Sequence, residues 1–231
     1  MPEISLVLGS DVPVYVKHDK THDARLNNRF GPILDELGQS ASGLIAKQGS
    51  VRIAGFKIFG DGGRVVHDST AIADYLEERY PDRQSLFGGT AGRALARFVQ
   101  NWTETVLQTG LIRLVALDIH RHCTPEDQAY FRRSREERFG ASLEDVVRDR
   151  AARLPAFCTS LDPLRRTVER QDFISGKAPA YADYVVFGAF QWVRAISDLE
   201  ILAADDPVRS WRSRMLDLFD GLARRAPAYG D

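Results

Sequence analysis

Asp68 and Ser69 stand at the start of a segment that reads as a helix, and the pair has the makings of an anion site. A helix amino terminus presents backbone N–H groups and the positive end of the helix dipole, which together favour a carboxylate. The Ser69 hydroxyl adds a donor, and the Asp68 carboxylate adds an acceptor suited to an ammonium group. The same two residues also serve as a plain helix cap. Ser10 and Tyr15 offer hydroxyls just after the first apolar run, although Ser10 equally suits a turn and Tyr15 equally suits a core with a polar handle. Trp102, His120 and Tyr130 suit either the core or the wall of a cleft for an apolar ligand. His120 and His122 with Cys123 suggest a metal at first sight. On a helix, however, residues two apart lie on different faces and no distant ligand cluster completes the set, so no metal is expected. The run from Arg132 to Arg138 reads as a solvated helical face rather than a phosphate site.

Elements must position these side chains. Ile4, Leu6 and Leu8 alternate with Ser5, Val7 and Gly9 in a short apolar run that Gly9-Ser10-Asp11 closes, so a strand is expected near 4–9. Val12 to His22 gives no clean element, because Pro13 and a polar cluster break any period. A helix is expected over 23–37, kinked at Gly31-Pro32, and strands over 43–46 and 51–59. Gly60-Asp61-Gly62-Gly63 reads as a hairpin turn before Arg64-Val65-Val66-His67. The hairpin feeds a helix capped by Asp68 or Ser69, with Ile72, Tyr75, Leu76 and Tyr80 at helical spacing and Pro81 as its stop.

Beyond a linker at Leu86-Phe87-Gly88-Gly89 the period is helical almost to the end. Leu95, Phe98, Val99, Trp102, Val106 and Leu107 are expected on one long apolar face, extended through Ile119. A helix starts at Thr124-Pro125, another spans 154–168, Tyr184 to Ile196 reads as buried on all sides, and a last helix runs from Pro207 to Leu222.

The 231 residues suffice for two small domains. The formal charge of −1, from 31 basic and 32 acidic residues, gives no field to gather nucleic acid or an anionic membrane. Cys123 and Cys158 are too few for a disulfide framework and fit a reducing cytoplasm, and no apolar run approaches the roughly 18 residues of a membrane helix. Lysines fall mainly in the first 57 residues (Lys17, Lys20, Lys47 and Lys57), so composition shifts along the chain.

The stretch from Asp68 to Glu77 followed by Tyr80-Pro81-Asp82 resembles the glutathione-binding edge of the glutathione transferase family. Gly176 to Tyr184 resembles the segment that caps that family's central helix, and Asp205-Asp206-Pro207 with Asp217 to Leu222 resembles the ending of bacterial β-etherases and related fungal transferases. The resemblance implies an α+β chain: a divergent thioredoxin-like domain over 1–85, then an all-helical substrate domain over 86–231. It implies glutathione held by Asp68 and Ser69, with Phe56 and Lys57 where the family's hairpin meets the tripeptide, and Ser10 or Tyr15 as donor to the thiolate. It further implies a hydrophobic second substrate near Trp102, His120 and Tyr130, Asp183 as a structural carboxylate, and a cytoplasmic homodimer. Two departures accompany it. The family's hairpin proline is absent, since no proline lies between Pro32 and Pro81, and Ala180 stands where a Ser or Thr usually completes a capping box. A glutathione-dependent enzyme and a non-catalytic binding module of the same fold both follow from this pattern.

Overall fold

Alternation over the first residues produces β1 (Ser5–Leu6), which pairs antiparallel with β2 (Val14–Tyr15), Ser5 opposite Tyr15 and Leu6 opposite Val14. The partner strand was hidden in the sequence by Pro13. β3 (Ile58–Asp61) and β4 (Arg64–His67) form the expected hairpin, and the pairing of Asp61 with Arg64 leaves a two-residue connection, the length favoured by tight hairpins. This computed structural model describes the backbone of these four strands and residues 69–123, 125–226 and 228–229. The expected helix over 23–37, the strand over 43–46 and the thioredoxin-like organisation of 1–85 lie outside the described residues.

The hairpin leads into α1 (Ser69–Arg79), which buries Ile72 and Leu76 of the expected set, with Tyr75 and Tyr80 half-buried against them, and buries Ala73 as well. Beyond it, Gly89 adopts a φ of 104°, a region that disfavours any side chain, and so turns the chain into α2 (Thr90–Trp102). Gly92 is required for a different reason: a Cβ there would meet the Phe87 carbonyl oxygen at 1.9 Å.

α2 continues without a break through a π-helical stretch, Thr103–Gln108, into α3 (Thr109–His122). The face expected from Leu95 and Phe98 is corrected by the structure, since these two are 67% and 71% exposed. The inward residues are instead Ala96, Val99, Thr103 and Leu107. Small Ala96 allows close packing on Ala73 and Ala182, and the Thr103 hydroxyl satisfies itself by donating to the Val99 carbonyl at 2.8 Å.

α4 (Pro125–Phe139) has its proline at the first turn, as expected. Next come α5 (Leu143–Arg148), capped by the Ser142 hydroxyl accepting from Asp145 N at 3.1 Å, then α6 (Arg150–Ser160) and α7 (Asp162–Val168). The single helix expected over 154–168 is thus two helices, and Pro163 opens the second. α8 (Tyr181–Ile196) is the core of the domain. Val186, Phe187, Phe190, Trp192 and Val193 are buried against α3 and against Val208, Trp211 and Met215 of α9 (Pro207–Gly221). Burial of this kind contributes about 1.5–3 kcal/mol per large apolar side chain. The last helix departs from helical backbone at Leu218, Phe219 and Asp220, the latter two with φ near +54°.

Candidate functional site

Ser69 is the first residue of α1, half-buried, at the positive end of an eleven-residue helix. The next residue anchors that end: the Thr70 hydroxyl donates to Gln100 Oε1 at 2.7 Å, and Gln100 Nε2 donates to Glu104 Oε1 at 2.9 Å. The start of α1 is therefore tied to the middle of the long helix rather than to the hairpin alone. Its outer face is held by charge. Arg93 Nε lies 2.6 Å from Asp74 and its Nη2 lies 3.0 Å from Glu78, and these carboxylates raise the Arg93 pKa above its ordinary value.

The linker after α1 is built around two side chains. Glu77 accepts from Leu86 N at 2.7 Å and from the Ser85 hydroxyl, while Ser85 Oγ accepts from the backbone N–H groups of Phe87, Gly88 and Gly89 at 2.8–3.2 Å. Phe87 is thereby driven inward to 5% exposure, with its ring 5.1 Å from that of Tyr181 and the Arg93 guanidinium 5.4 Å from its centroid. The Leu86 carbonyl accepts from Tyr181 N at 2.7 Å, so the linker also caps the central helix.

Asp183, fully buried at the first turn of α8, accepts from Ile174 N (2.7 Å), Ser175 N (3.1 Å), Ala180 N (3.2 Å) and Trp211 Nε1 (3.0 Å). All four donors are neutral, and both oxygens are occupied in holding backbone and core. Alanine at 180 has no side-chain acceptor, so Asp183 N turns to the Ala180 backbone carbonyl at 2.9 Å and half of a capping box remains.

Of the other residues singled out in the sequence, Trp102 is half-buried at the end of α2, two positions beyond the Gln100 that holds Thr70. His120 lies near the end of α3, about 27 Å further along the same helix at 1.5 Å per residue. Its ring stands 6.3 Å from Phe131, and burial, helped by Arg132, lowers its pKa. Tyr130 is 39% exposed on α4. Trp102 and His120 therefore do not share a wall. Ser10, Phe56, Lys57 and Asp68 lie outside the described residues, and Tyr15 is described by its backbone alone.

The helices from α2 to α9 thus pack around one central apolar helix clamped by a buried aspartate. A family model described as glutathione S-transferase, C-terminal domain, matches residues 94–215, and the chain belongs to this family. Glutathione transferase GSTFuA3 from Phanerochaete chrysosporium is similar over 83% of this chain and 74% of its own, with a TM-score of 0.55 and 22% identity. The glutathione S-transferase CsGST63524 of Ceriporiopsis subvermispora, in complex with glutathione, is similar over 84% and 76%, with a TM-score of 0.54 and 21% identity. Poplar glutathione transferase F1 matches over 82% and 80%, with a TM-score of 0.54 and 17% identity.

Proposed function

We propose that this protein is a glutathione-dependent transferase that attacks a hydrophobic, aromatic electrophile with the glutathione thiolate, by conjugation or by cleaving an aryl ether or halide. The observation that carries the reading is Ser69 at the start of a helix anchored to the long helix through Thr70 and Gln100. A carboxylate gains from such a terminus, and the Ser69 hydroxyl adds one hydrogen bond. Family membership and the glutathione held by the Ceriporiopsis subvermispora enzyme support the same ligand.

In this reading residues 1–85 form a thioredoxin-like domain. Asp68 accepts from the tripeptide's ammonium group, Phe56 and Lys57 meet its backbone, and Ser10 or Tyr15 donates to the sulfur. Trp102, half-buried at the end of α2, lines the adjoining cleft. The exposed pair Leu95 and Phe98, one turn apart on α2, supports a homodimer through that face, and the two free cysteines suit a cytoplasmic setting. A non-catalytic binding module is the second reading, favoured by the lack of any proline between Pro32 and Pro81.

Thiolate absorbance of the glutathione complex, titrated from about pH 5 to 9, separates the two, because the thiolate is the nucleophile and a free thiol titrates near 8.5. The enzyme lowers that midpoint, and Ser10→Ala or Tyr15→Phe reduces turnover of aryl halides or aryl ethers by about ten- to a thousandfold. Glutathione that binds with its thiol titrating as in water, and turnover indifferent to both substitutions, leaves the binding module.

A further inference from the structure

Val208, Trp211, Met215, Leu218 and Leu222 follow one another at intervals of three and four, the helical period, and no proline lies between Pro207 and Ala226. The backbone nevertheless leaves the helix at Leu218 (φ −59°, ψ 150°). It then passes through two left-handed residues, Phe219 (53°, 53°) and Asp220 (55°, 32°), before Gly221 at φ 74°. Glycine takes that conformation freely. A side chain there is pressed against the following carbonyl, and aspartate tolerates it singly rather than in succession. The turn therefore sets two costly positions on residues that carry a Cβ, and it leaves Phe219 48% exposed, its ring stacked 6.5 Å from that of Tyr184.

Contacts outside the turn hold it bent, and most of them converge on Arg194 in the last turn of α8. Its Nη1 donates to the carbonyls of Ala223 and Ala226 at 3.3 and 3.2 Å and its Nη2 to that of Arg224 at 3.1 Å. Gln191 Nε2 donates to the Ala223 carbonyl at 3.2 Å, and Tyr229 N donates to the Arg194 carbonyl at 2.9 Å. Arg224 Nη2 also reaches the Ser213 hydroxyl at 3.0 Å. Eleven residues of continuous helix would separate those two by about 16 Å at 1.5 Å per residue, beyond one side chain's reach, so this contact belongs to the bent chain alone.

The chain thus returns along α8, from Tyr184 in its first turn to Arg194 in its last, and its end lies over the end of that helix. Ala228 and Tyr229 meet Phe190, Val193 and Ile201 there, which are 1%, 2% and 4% exposed. His122 of α3 meets the Tyr229 ring edge-on at 5.6 Å. A costly turn held by one remote cation, in a sequence whose helical period runs straight through it, is the kind of element that has two discrete arrangements.

We propose that residues 218–221 are a hinge and that the segment after them is a strap with two positions. In the closed position Arg194 latches the strap along α8. In the open position 218–221 winds as right-handed helix, α9 runs on to Leu222, and the last turns of α8 are uncovered. Release of the latch relieves the left-handed backbone at Phe219 and Asp220, so opening is offset by helix gained rather than being a loss of order alone. None of these residues enters the proposed glutathione chemistry.

Limited digestion of the full chain with trypsin reads the open position. The Arg224 side chain is exposed, but its carbonyl is held by Arg194 and must leave it to be cut, so the rate of cleavage after Arg224 follows the open population. Arg194→Gln is expected to speed that cleavage at least about tenfold. Asp220→Gly is expected to slow it about three- to tenfold, because the closed turn loses part of its cost. Gly221→Ala acts in the opposite sense and speeds it, since alanine resists a φ of 74°. In Arg194→Gln the Cα resonance of Leu218 moves from an extended to a helical value, which a simply frayed end would not show. Should that variant not melt cooperatively, Gly221→Ala carries the same two measurements. An unchanged or faster rate in Asp220→Gly, an unchanged rate in the latch variant, or a Leu218 resonance at the coil value each overturns the proposal.

Discussion

At its first turn α8 is held by Asp183, which accepts only from neutral donors. At its last turn the helix is held by Asp118, reached from α3, whose oxygens are shared by Arg121 (3.2 Å), Arg150 (2.8 Å) and the hydroxyl of Ser197 (2.6 Å). Both aspartates are buried, at 0% and 5% exposure. Their partners differ in kind. Asp183 gathers three backbone N–H groups from the segment just before α8 and the indole of Trp211 on α9, so its bonds fix the entry of the central helix against the core. Asp118 gathers two cations, of which Arg121 is 66% exposed, so part of its stabilisation is Coulombic and open to solvent. The first turn of α8 is thus held by contacts that salt screens little, and its last turn by contacts that salt screens more.

The largest effect expected is that of Asp183→Ala. Each orphaned buried donor costs about 1–3 kcal/mol, so the loss of four acceptor contacts should remove on the order of 3–5 kcal/mol in denaturant unfolding. A loss below about 1 kcal/mol would show that water or a rearranged loop replaces the carboxylate. Asp118→Ala is expected to cost less, about 1–3 kcal/mol, because its arginines can turn to solvent. Salt sharpens the contrast. Between about 0.1 and 1 M the Debye length falls from about 10 to 3 Å, so the cost of Asp118→Ala should shrink while that of Asp183→Ala holds. Equal salt sensitivity at the two sites would erase the distinction.

A weaker effect is expected at glutathione itself. Ser69→Ala removes one hydroxyl and should reduce retention on immobilised glutathione by about two- to tenfold without altering the melting temperature. The smallest effect concerns His120, which shares the last turns of α3 with Asp118. Burial first, with Arg132 and Arg121 adding and Glu144 and Glu136 opposing, holds its folded pKa below 6.5. The unfolded chain then binds more protons in the window below 6.5, so this contribution to stability is present above that pH and is lost on acidification. His120→Asn should flatten the slope of stability against pH just below 6.5, and an unchanged slope would assign it to other groups.

The parts of this fold legible in the sequence are those where one local rule dominates. α1 has an apolar period and a terminating proline, and α8 is apolar enough to be central in any arrangement. Ser69 at a helix start was legible for the same reason. The division of 154–168 was only half legible: Pro163 marks the opening of the second helix, but nothing local sets the break at Leu161. Nor was the inward face of the long helix legible, where Ala96 and Thr103 face inward and Leu95 and Phe98 face outward. The donors of Asp183 could not be read either, since Ile174, Ser175 and Trp211 are joined to it only by tertiary packing.

Thr103, Leu107, Leu111 and Val115 are each 0% exposed and follow one another at a strict interval of four. On an ordinary helix that interval overshoots a full circle by about 40° per step, so the fourth member would be rotated by about 120° from the first. The wider turns of Thr103–Gln108 wind the other way relative to this interval and cancel part of the overshoot. The long helix thus keeps time with a four-beat sequence by slowing for a few residues. Deleting one residue from 103–108 would let that stretch relax to ordinary helix, and because five residues at about 100° each turn through nearly the angle of six in the wider winding, the Leu111 and Leu114 side of α3 would still face α8.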